Sequence, residues 1–373
     1  MALLIHGGRI ITPTEDFTGD IYAEHETITR IEPHIDAKLV APGAEIIDAR
    51  GMCVFPGFID PHVHIYLPFM GTYAADDYES ASKAALTGGT TTLIEMICPG
   101  AADEPVAAFE TWKSKAEKLA AVDYTFHMAV VRFEEHIRDQ FREIVKAGVA
   151  SFKVFLAYKG ALNLSDEHLF AAMKFAKDLG VIVTAHCENA DAIDALQKSL
   201  LAAGKTGPEW HGPSRPPIVE ADGVHHLCTF AELLGTHVYI VHTSCADALR
   251  EALAARQRGV NVWVESVIPH FVLDETYVER GQFEGAKYVM SPPLRAKANQ
   301  DVLWNAVRTD ILSAISTDHC AYLFQGQKDH GKNDFSQIPN GGPGLENRLQ
   351  MIHSFGVRTG RISLNRIDRK SVV

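Results

Sequence analysis

The strongest constraint on the fold is a series of eight compact apolar runs after residue 57, separated by stretches with helical periodicity. The runs are FIDPHVH (58–64), TTTLIEMI (90–97), YTFHMAV (124–130), SFKVFLAY (151–158), VIVTAHCE (181–188), HVYIVHTS (237–244), NVWVESVI (261–268) and ILSAISTDH (311–319). Short apolar runs are typical of strands buried on both faces of a parallel sheet. Strands alternating with helices predict an α/β fold, a closed (β/α)8 barrel of the TIM type.

The stretches between the runs carry helix-end signals. YESASKAALTGG, EEHIRDQFREIVKAG, DEHLFAAMKFAKDLG and CADALREALAARQRG each end at glycine, and Glu134, Asp166 and Asp247 stand near three of the starts. An open doubly wound sheet is the competing arrangement. No GxGxxG or GxxxxGK[ST] follows a run, which disfavours nucleotide-binding versions of that fold.

Composition narrows the class of protein and partner. The chain has 35 Lys and Arg against 47 Asp and Glu, a net charge of −12, so we expect no nucleic-acid partner. Its six cysteines form no CxxC pair, which is typical of reduced thiols in a cytoplasmic protein. No apolar run approaches the ~18 residues of a membrane span, and the first residues break too early for a signal peptide. We therefore expect a cytoplasmic protein without a membrane partner.

Polar side chains of unusual type occur in five of the runs. They are His62, His64, Lys153, His186, His242 and Asp318. Strand ends converge on one rim of a parallel barrel, so these side chains are expected to meet there. Ionised imidazoles and an ammonium group would repel each other, whereas a divalent metal binds neutral imidazole. The pattern predicts a metal site. Single histidines elsewhere are more typical of core or surface: His6, His25, His34, His136, His168 and His353.

Seven motifs together resemble the amidohydrolase superfamily and, within it, the dihydropyrimidinase and hydantoinase group: PGFIDPHVHIYLPF, SFKVFLAYK, TAHCEN, IVHTS, SPPLR, STDHC and IPNGGPGLENR. The resemblance extends to about Arg366. It implies a hydrolase of cyclic-amide C–N bonds. Such an enzyme opens dihydropyrimidines or 5-substituted hydantoins to N-carbamoyl amino acids through a metal-bridging hydroxide.

The resemblance also implies two divalent metal ions, most commonly Zn2+. His62, His64 and Asp318 would bind one ion, and His186 and His242 the other. Lys153 matches the family lysine that reacts with CO2 to give a carbamate, N6-carboxylysine, bridging both ions. The alternative for Lys153 is a strand-end lysine extending to solvent. Manganese, cobalt and iron occupy similar sites.

Catalytic and substrate-binding residues follow from the same resemblance. Asp318 would act as general base and then acid, and Tyr158 would donate a hydrogen bond to the developing oxyanion. Ser291 and Asn340 match positions whose main chains hold the ureide group of the substrate. Phe69, Phe155 and Leu162 match loop positions that form a hydrophobic pocket around the ring substituent. For Tyr158 and these three, ordinary packing is the alternative.

Position 66 bears on the substrate. Dihydroorotases of the superfamily carry an arginine two residues after the second histidine, where this chain has Tyr66. A carboxylate-bearing ring is therefore disfavoured, and a small neutral cyclic ureide is expected. Five- and six-membered rings both stay open.

The C-terminal sequence IDRKSVV departs from the family pattern, in which a C-terminal segment returns to complete a small β-sandwich. Residues 1–56 read as short strands, so we expect an incomplete β-sandwich domain there, a barrel at 57–355 and a truncated tail at 356–373. A homo-oligomer, dimer or tetramer, is implied by resemblance alone.

Three alternatives to this enzyme stay open. One is a non-catalytic dihydropyrimidinase-like scaffold protein, another a truncated and inactive hydrolase, and the third a different cyclic amidohydrolase such as an allantoinase or dihydroorotase. The presence of all six ligand positions together with Tyr158 favours the enzyme over the scaffold.

Overall fold

A computed structural model describes residues 2–371 of the chain. The N-terminal part forms a five-stranded sheet of β1 (Ala2–Ile11), β2 (Asp16–Glu24), β3 (Thr27–Glu32), β4 (Glu45–Asp48) and β5 (Cys53–Val54). β1 is central, antiparallel to β2 and parallel to β4 and β5. Isoleucines on β3 and β4 are exposed: Ile28, Ile31, Ile46 and Ile47. This sheet is separate from the larger one, and we propose a domain boundary near residue 56.

Eight parallel strands form the larger sheet, and the predicted α/β barrel is confirmed. In chain order the elements are β6 (Phe58–Val63), the hairpin strands β7 (Pro68–Phe69) and β8 (Thr72–Tyr73), then β9 (Thr90–Ile97), β10 (Asp123–Ala129), β11 (Ser151–Phe155), β12 (Ile182–His186), β13 (Val238–Ile240), β14 (Val262–Val267) and β15 (Ala314–Ser316). Each barrel strand pairs with the next one along the chain. All eight predicted runs contain a strand.

The first and last barrel strands meet at a seam. Within residues 2–371, β6 and β15 share no regular ladder. The seam is closed just beyond β15 by two main-chain bonds, His64 N to His319 O at 2.7 Å and Asp318 N to His62 O at 3.0 Å. Residues on both sides of the seam are thus held in register at one end of the barrel.

Helices connect the strands and cover the barrel. They are α1 (Tyr78–Thr87), α2 (Pro105–Ala116), α3 (Arg138–Lys146), α4 (Asp166–Leu179), α5 (Ala190–Ala202), α6 (Pro217–Leu234), α7 (Ala246–Gln257), α8 (Ile268–Val272), α9 (Ala298–Arg308), α10 (Arg348–Ile352) and α11 (Leu364–Ser371). α4 shows why the local signals work: the Ser165 side chain accepts from His168 N, and Gly180 ends the helix at a φ of 70°. No described helix is long and apolar enough to cross a membrane.

Part of the predicted tail is helical. A π-helical turn spans His353–Val357 and α11 follows it. Asn365 Nδ2 donates to Thr12 O and Glu15 O, both at 2.8 Å, which ties α11 to the turn between β1 and β2. The last two residues of the tail lie outside the described residues.

Candidate functional site

The six predicted ligand residues converge at the carboxyl ends of the barrel strands. The His62 and His242 ring centroids are 5.3 Å apart, and those of His186 and His242 4.5 Å. Nε2 of His62 and Nε2 of His64 lie 3.2 and 3.3 Å from Asp318 Oδ1. Lys153 lines the same inner cavity as His64, His186, His242 and Asp318. Side chains from five barrel segments therefore share one small volume.

Three site residues have unusual backbone conformations. Tyr158, His242 and Asp318 have φ values of 65°, 37° and 50°, in the left-handed region that non-glycine residues rarely adopt. Each follows a strand that is shorter than expected, since β11 ends at Phe155, β13 at Ile240 and β15 at Ser316. The prediction that His242 and Asp318 lie within strands is therefore wrong, because both lie in the loops that follow. Such strain persists where surrounding contacts fix the backbone, and it clusters at functional sites.

A buried glutamate orients two of the histidines. Glu265 on β14 accepts a hydrogen bond from His62 Nδ1 at 2.8 Å and from the His242 main-chain N–H at 3.1 Å. Tyr239 donates to its other oxygen at 3.0 Å. With Nδ1 of His62 engaged, Nε2 is the ring nitrogen left for a ligand.

A second carboxylate, that of Glu188, orients His186 through the other ring nitrogen, Nε2. Nε2 of His186 lies 2.7 Å from Glu188, which also accepts from Arg215 at 2.6 Å. This leaves Nδ1 of His186 for a ligand. The Arg215 guanidinium lies 5.4 Å from the Tyr158 ring centroid, so one cation contacts both the carboxylate and the predicted oxyanion donor.

Buried nitrogen atoms without hydrogen-bond partners indicate whether the six predicted ligand residues fit a metal. His62 Nε2, Lys153 Nζ and His242 Nδ1 have no hydrogen-bond partner among residues 2–371. One ligand atom each from His62, His64 and Asp318 lies within 4.8 Å of the others. Orphaned buried polar atoms are costly unless a ligand takes them up. The donor set, imidazoles with a carboxylate, suits a divalent transition metal.

The protonation states favour the same interpretation. Burial lowers the pKa values of His62 and His242 well below their ordinary value and lowers the pKa of His186 as well. Burial also lowers the pKa of Lys153 to about 8. Burial acts to raise the pKa of Asp318, but the nearby His62 and His64 outweigh it and leave that pKa below its ordinary value. Burial therefore favours the neutral imidazole at His62, His186 and His242, beside a carboxylate, as metal binding requires.

Two cavities lie above this centre. The inner one, about 40 Å³, is lined by His64, Lys153, His186, His242 and Asp318 together with Ser291 and Asn340. The outer one, about 780 Å³, shares Phe69, Tyr158 and Leu162 with it and carries Tyr66 and Trp112 on its wall. Phe69 and Tyr158 pack edge to face at 5.1 Å between ring centroids. The predicted substituent residues Phe69, Phe155 and Leu162 all line the inner cavity.

Ser291 and Asn340 both line this cavity and are in direct contact. Asn340 Nδ2 donates to Ser291 Oγ at 3.0 Å. Within the described part of the chain, the main-chain N–H and C=O groups of these two residues have no recorded hydrogen-bond partner. Free main-chain groups at both positions are what ring recognition through the backbone would need.

Sequence reasoning missed Glu265, Glu188 and Arg215. Glu265 stands inside an apolar run, NVWVESVI, and Glu188 lies within the motif TAHCEN. An acidic residue in a segment expected to be buried is unusual, and this could have marked both residues as functional. Nothing local distinguishes Arg215, since its partners lie elsewhere in the chain.

A separate group of possible ligands lies in the small sheet. Nδ1 of His6 and of His34 lie 3.1 and 3.4 Å from the Asp20 carboxylate. That carboxylate already accepts from Gly7 N and Ile35 N, both at 2.7 Å. Its role is explained by joining β1, β2 and the segment at residue 35.

Comparison with known proteins agrees with the resemblance of the motifs. A sequence profile of the amidohydrolase family matches residues 53–359. The chain is 42% identical to a D-hydantoinase of Geobacillus stearothermophilus, over 98% of this chain and 77% of that protein. It is 38% identical to a dihydropyrimidinase of Arabidopsis thaliana, over 97% and 67% of the two chains. The solved D-hydantoinase (dihydropyrimidinase) from Thermus sp. aligns with a TM-score of 0.96 at 52% identity, over 99% and 80%. The chain belongs to the amidohydrolase family.

Proposed function

We propose that this chain is a metal-dependent cyclic amidohydrolase that opens 5-substituted hydantoins or dihydropyrimidines to N-carbamoyl amino acids. Its similarity to hydantoinases and dihydropyrimidinases covers nearly the whole chain. The observation that carries the proposal is the convergence of six potential ligand side chains beneath Tyr158, Ser291 and Asn340.

We propose two divalent cations, most simply Zn2+, held by His62, His64 and Asp318 and by His186 and His242. Bound there, they would supply a nucleophilic water near neutral pH and polarise the substrate carbonyl. Lys153 would join the two sets as a carbamate, formed when its amine attacks CO2 and loses a proton. Support for this comes from Nζ, which is fully buried and unpartnered among the described residues, whereas an unmodified ammonium cannot ligate metal.

The chain's own groups supply the remaining chemistry. Burial raises the pKa of Tyr158 to about 12, so the phenol stays protonated at neutral pH and can donate to the oxyanion. One such donor is worth ~3 kcal/mol of barrier. Asp318 would take a proton from the attacking water and pass it to the leaving ring nitrogen. Main-chain groups of Ser291 and Asn340 would bind the ureide.

A neutral ring fits the charges around the cavities. The described cations of the outer wall are already paired, Lys159 with Asp191 at 2.6 Å and Arg215 with Glu188 at 2.6 Å. Tyr66 stacks on Tyr73 with ring centroids 5.5 Å apart, so position 66 offers no charge to a carboxylate. These pairs disfavour dihydroorotate.

Purified protein tests the proposal directly. We expect about two metals per chain by elemental analysis, and hydrolysis of 5-substituted hydantoins or 5,6-dihydrouracil well above that of dihydroorotate. A folded, metal-free and inert protein would instead support the scaffold alternative. Faster turnover of dihydroorotate would overturn the substrate assignment.

We also propose a cytoplasmic homo-oligomer, dimer or tetramer. Five of the six cysteines are buried and unpaired, consistent with a reducing compartment. The exposed isoleucines of β3 and β4 are apolar surface that an oligomer could cover. Light scattering after size exclusion measures the oligomeric state.

A further inference from the structure

Lys328 is a buried cation outside the proposed metal centre. It is 2% exposed, and its Nζ donates to Val289 O at 3.0 Å and to Pro339 O at 2.9 Å. The two carbonyls belong to different loops. Val289 lies two residues before Ser291, and Pro339 directly precedes Asn340. One side chain therefore joins the two segments that carry the proposed ureide-binding residues.

Further bonds hold the same two loops together. Val289 O also accepts from Gly341 N at 3.0 Å, and Asn340 Nδ2 donates to Ser291 Oγ at 3.0 Å. Lys328 is the only one of these donors that bonds to both loops without belonging to the segments at residues 289–291 and 339–341. Its loss would remove a bond from each loop at once.

The carbonyls on either side of Ser291 are occupied in turn by buried side chains. His211 Nε2 lies 2.8 Å from Met290 O, and His270 Nε2 lies 3.2 Å from Pro292 O. Lys328 takes Val289 O. Within residues 2–371 the Ser291 main chain is left without a recorded partner, as is that of Asn340. The three neighbouring carbonyls are therefore already hydrogen-bonded, and they do not compete with the Ser291 main chain for a ligand.

We propose that Lys328 is a positioning residue for substrate: by tying Val289 O to Pro339 O, it fixes the spacing at which the Ser291 and Asn340 main chains meet the ring. The inference rests on the proposed function. Lys328 does not touch the reacting atoms, so it acts on ring binding rather than on metal binding or the chemical step.

The environment of Lys328 supports a geometric role. Burial lowers the pKa of Lys328 to about 7, and no described carboxylate pairs with it. An amine has at least two N–H donors in either protonation state, so both carbonyls stay satisfied. A buried lysine without a counter-ion costs stability, so its presence here is better explained by what it positions than by folding.

The test is Lys328→Met, which keeps the length and removes the donors. We expect KM for a 5-substituted hydantoin to rise about tenfold, because each lost bond is worth roughly a factor of 2–10. Metal content should stay at the wild-type value and kcat should change less than KM. Lys328→Arg, which keeps donors, should recover part of the loss. If Lys328→Met cannot be purified folded, Lys328→Leu, which also lacks donors, measures the same quantity.

Arg348→Lys is the matched control. Arg348 is also a buried cation donating to two main-chain carbonyls, Ile59 O at 2.9 Å and Ile315 O at 3.0 Å, away from both cavities. The Arg348→Lys substitution should lower Tm and leave KM unchanged. A folded Lys328→Met or Lys328→Leu variant with wild-type KM, or one that loses metal in proportion to activity, overturns the inference. An inactive wild-type enzyme would instead contradict the proposed function.

Discussion

Glu265 and His62 form a buried pair, with the carboxylate 2.8 Å from Nδ1 and the two residues 203 positions apart in the chain. Both side chains are fully buried. The pair fixes the orientation of the ring and directs Nε2 towards Asp318. A carboxylate behind a metal-ligating histidine raises ligand basicity and holds the tautomer.

Glu265→Gln should therefore weaken metal binding without removing any proposed ligand. Loss of such a partner typically costs about 10- to 100-fold in metal affinity. Competition with a chelator, followed by elemental analysis, measures the change. Glu232→Gln, at an exposed ion pair with Arg258, is the control and should leave affinity unchanged. Equal affinity in both variants would show that Glu265 has no orienting role.

Tyr158→Phe should reduce kcat by ~10²–10³, because it removes a donor from the developing oxyanion. KM should change little, since the ring and its packing against Phe69 remain. Steady-state kinetics on a hydantoin provides the measurement, with Tyr277→Phe on the 3-10 helical turn Glu275–Tyr277 after α8 as control. A rise in KM with unchanged kcat would assign Tyr158 to packing instead.

Carbamylation of Lys153 predicts a dependence on dissolved CO2. Metal-free protein reloaded with zinc in CO2-free buffer should recover activity slowly, and added bicarbonate should speed recovery. A carbonyl signal from 13C-bicarbonate should appear in the wild type and in Lys198→Ala, but be lost in Lys153→Ala. Full recovery without CO2 would contradict the carbamate.

Asp20 predicts an acid-dependent loss of stability. Burial acts to raise its pKa, but the bonds from Ile35 N, Gly7 N and His6 outweigh it, so the folded-state pKa lies below its ordinary value. The stabilisation is thus present above the unfolded pKa of about 3.9 and is lost as pH falls through the folded value.

At pH 7, Asp20→Asn should lower the free energy of unfolding by about 1–3 kcal/mol. The difference from the wild type should shrink as pH falls below about 4. Urea unfolding at several pH values measures it. A difference independent of pH would mean that the charge of Asp20 is not what stabilises the sheet.

The barrel and most of its site could be predicted because their signals are local. Each strand is a short apolar run, and His62, His64 and Lys153 stand out within theirs. Lys328 and Arg215 were not predictable, since their importance depends on carbonyls and carboxylates brought close only by the fold. The positive φ at His242 and Asp318 was equally hidden, because strand length there is set by tertiary packing rather than by residue type.

The seam between β6 and β15 lies beside the proposed metal ligands, so metal binding should affect the stability of the barrel. His62 and His64 stand on one side of it and Asp318 on the other, joined along the chain by some 250 residues of barrel. A cation bound by all three residues would cross-link the two sides of the seam. Its binding free energy would then add to the free energy that keeps the barrel closed. Stripping the ion should then let amide protons at this joint exchange with deuterium before those of the opposite wall.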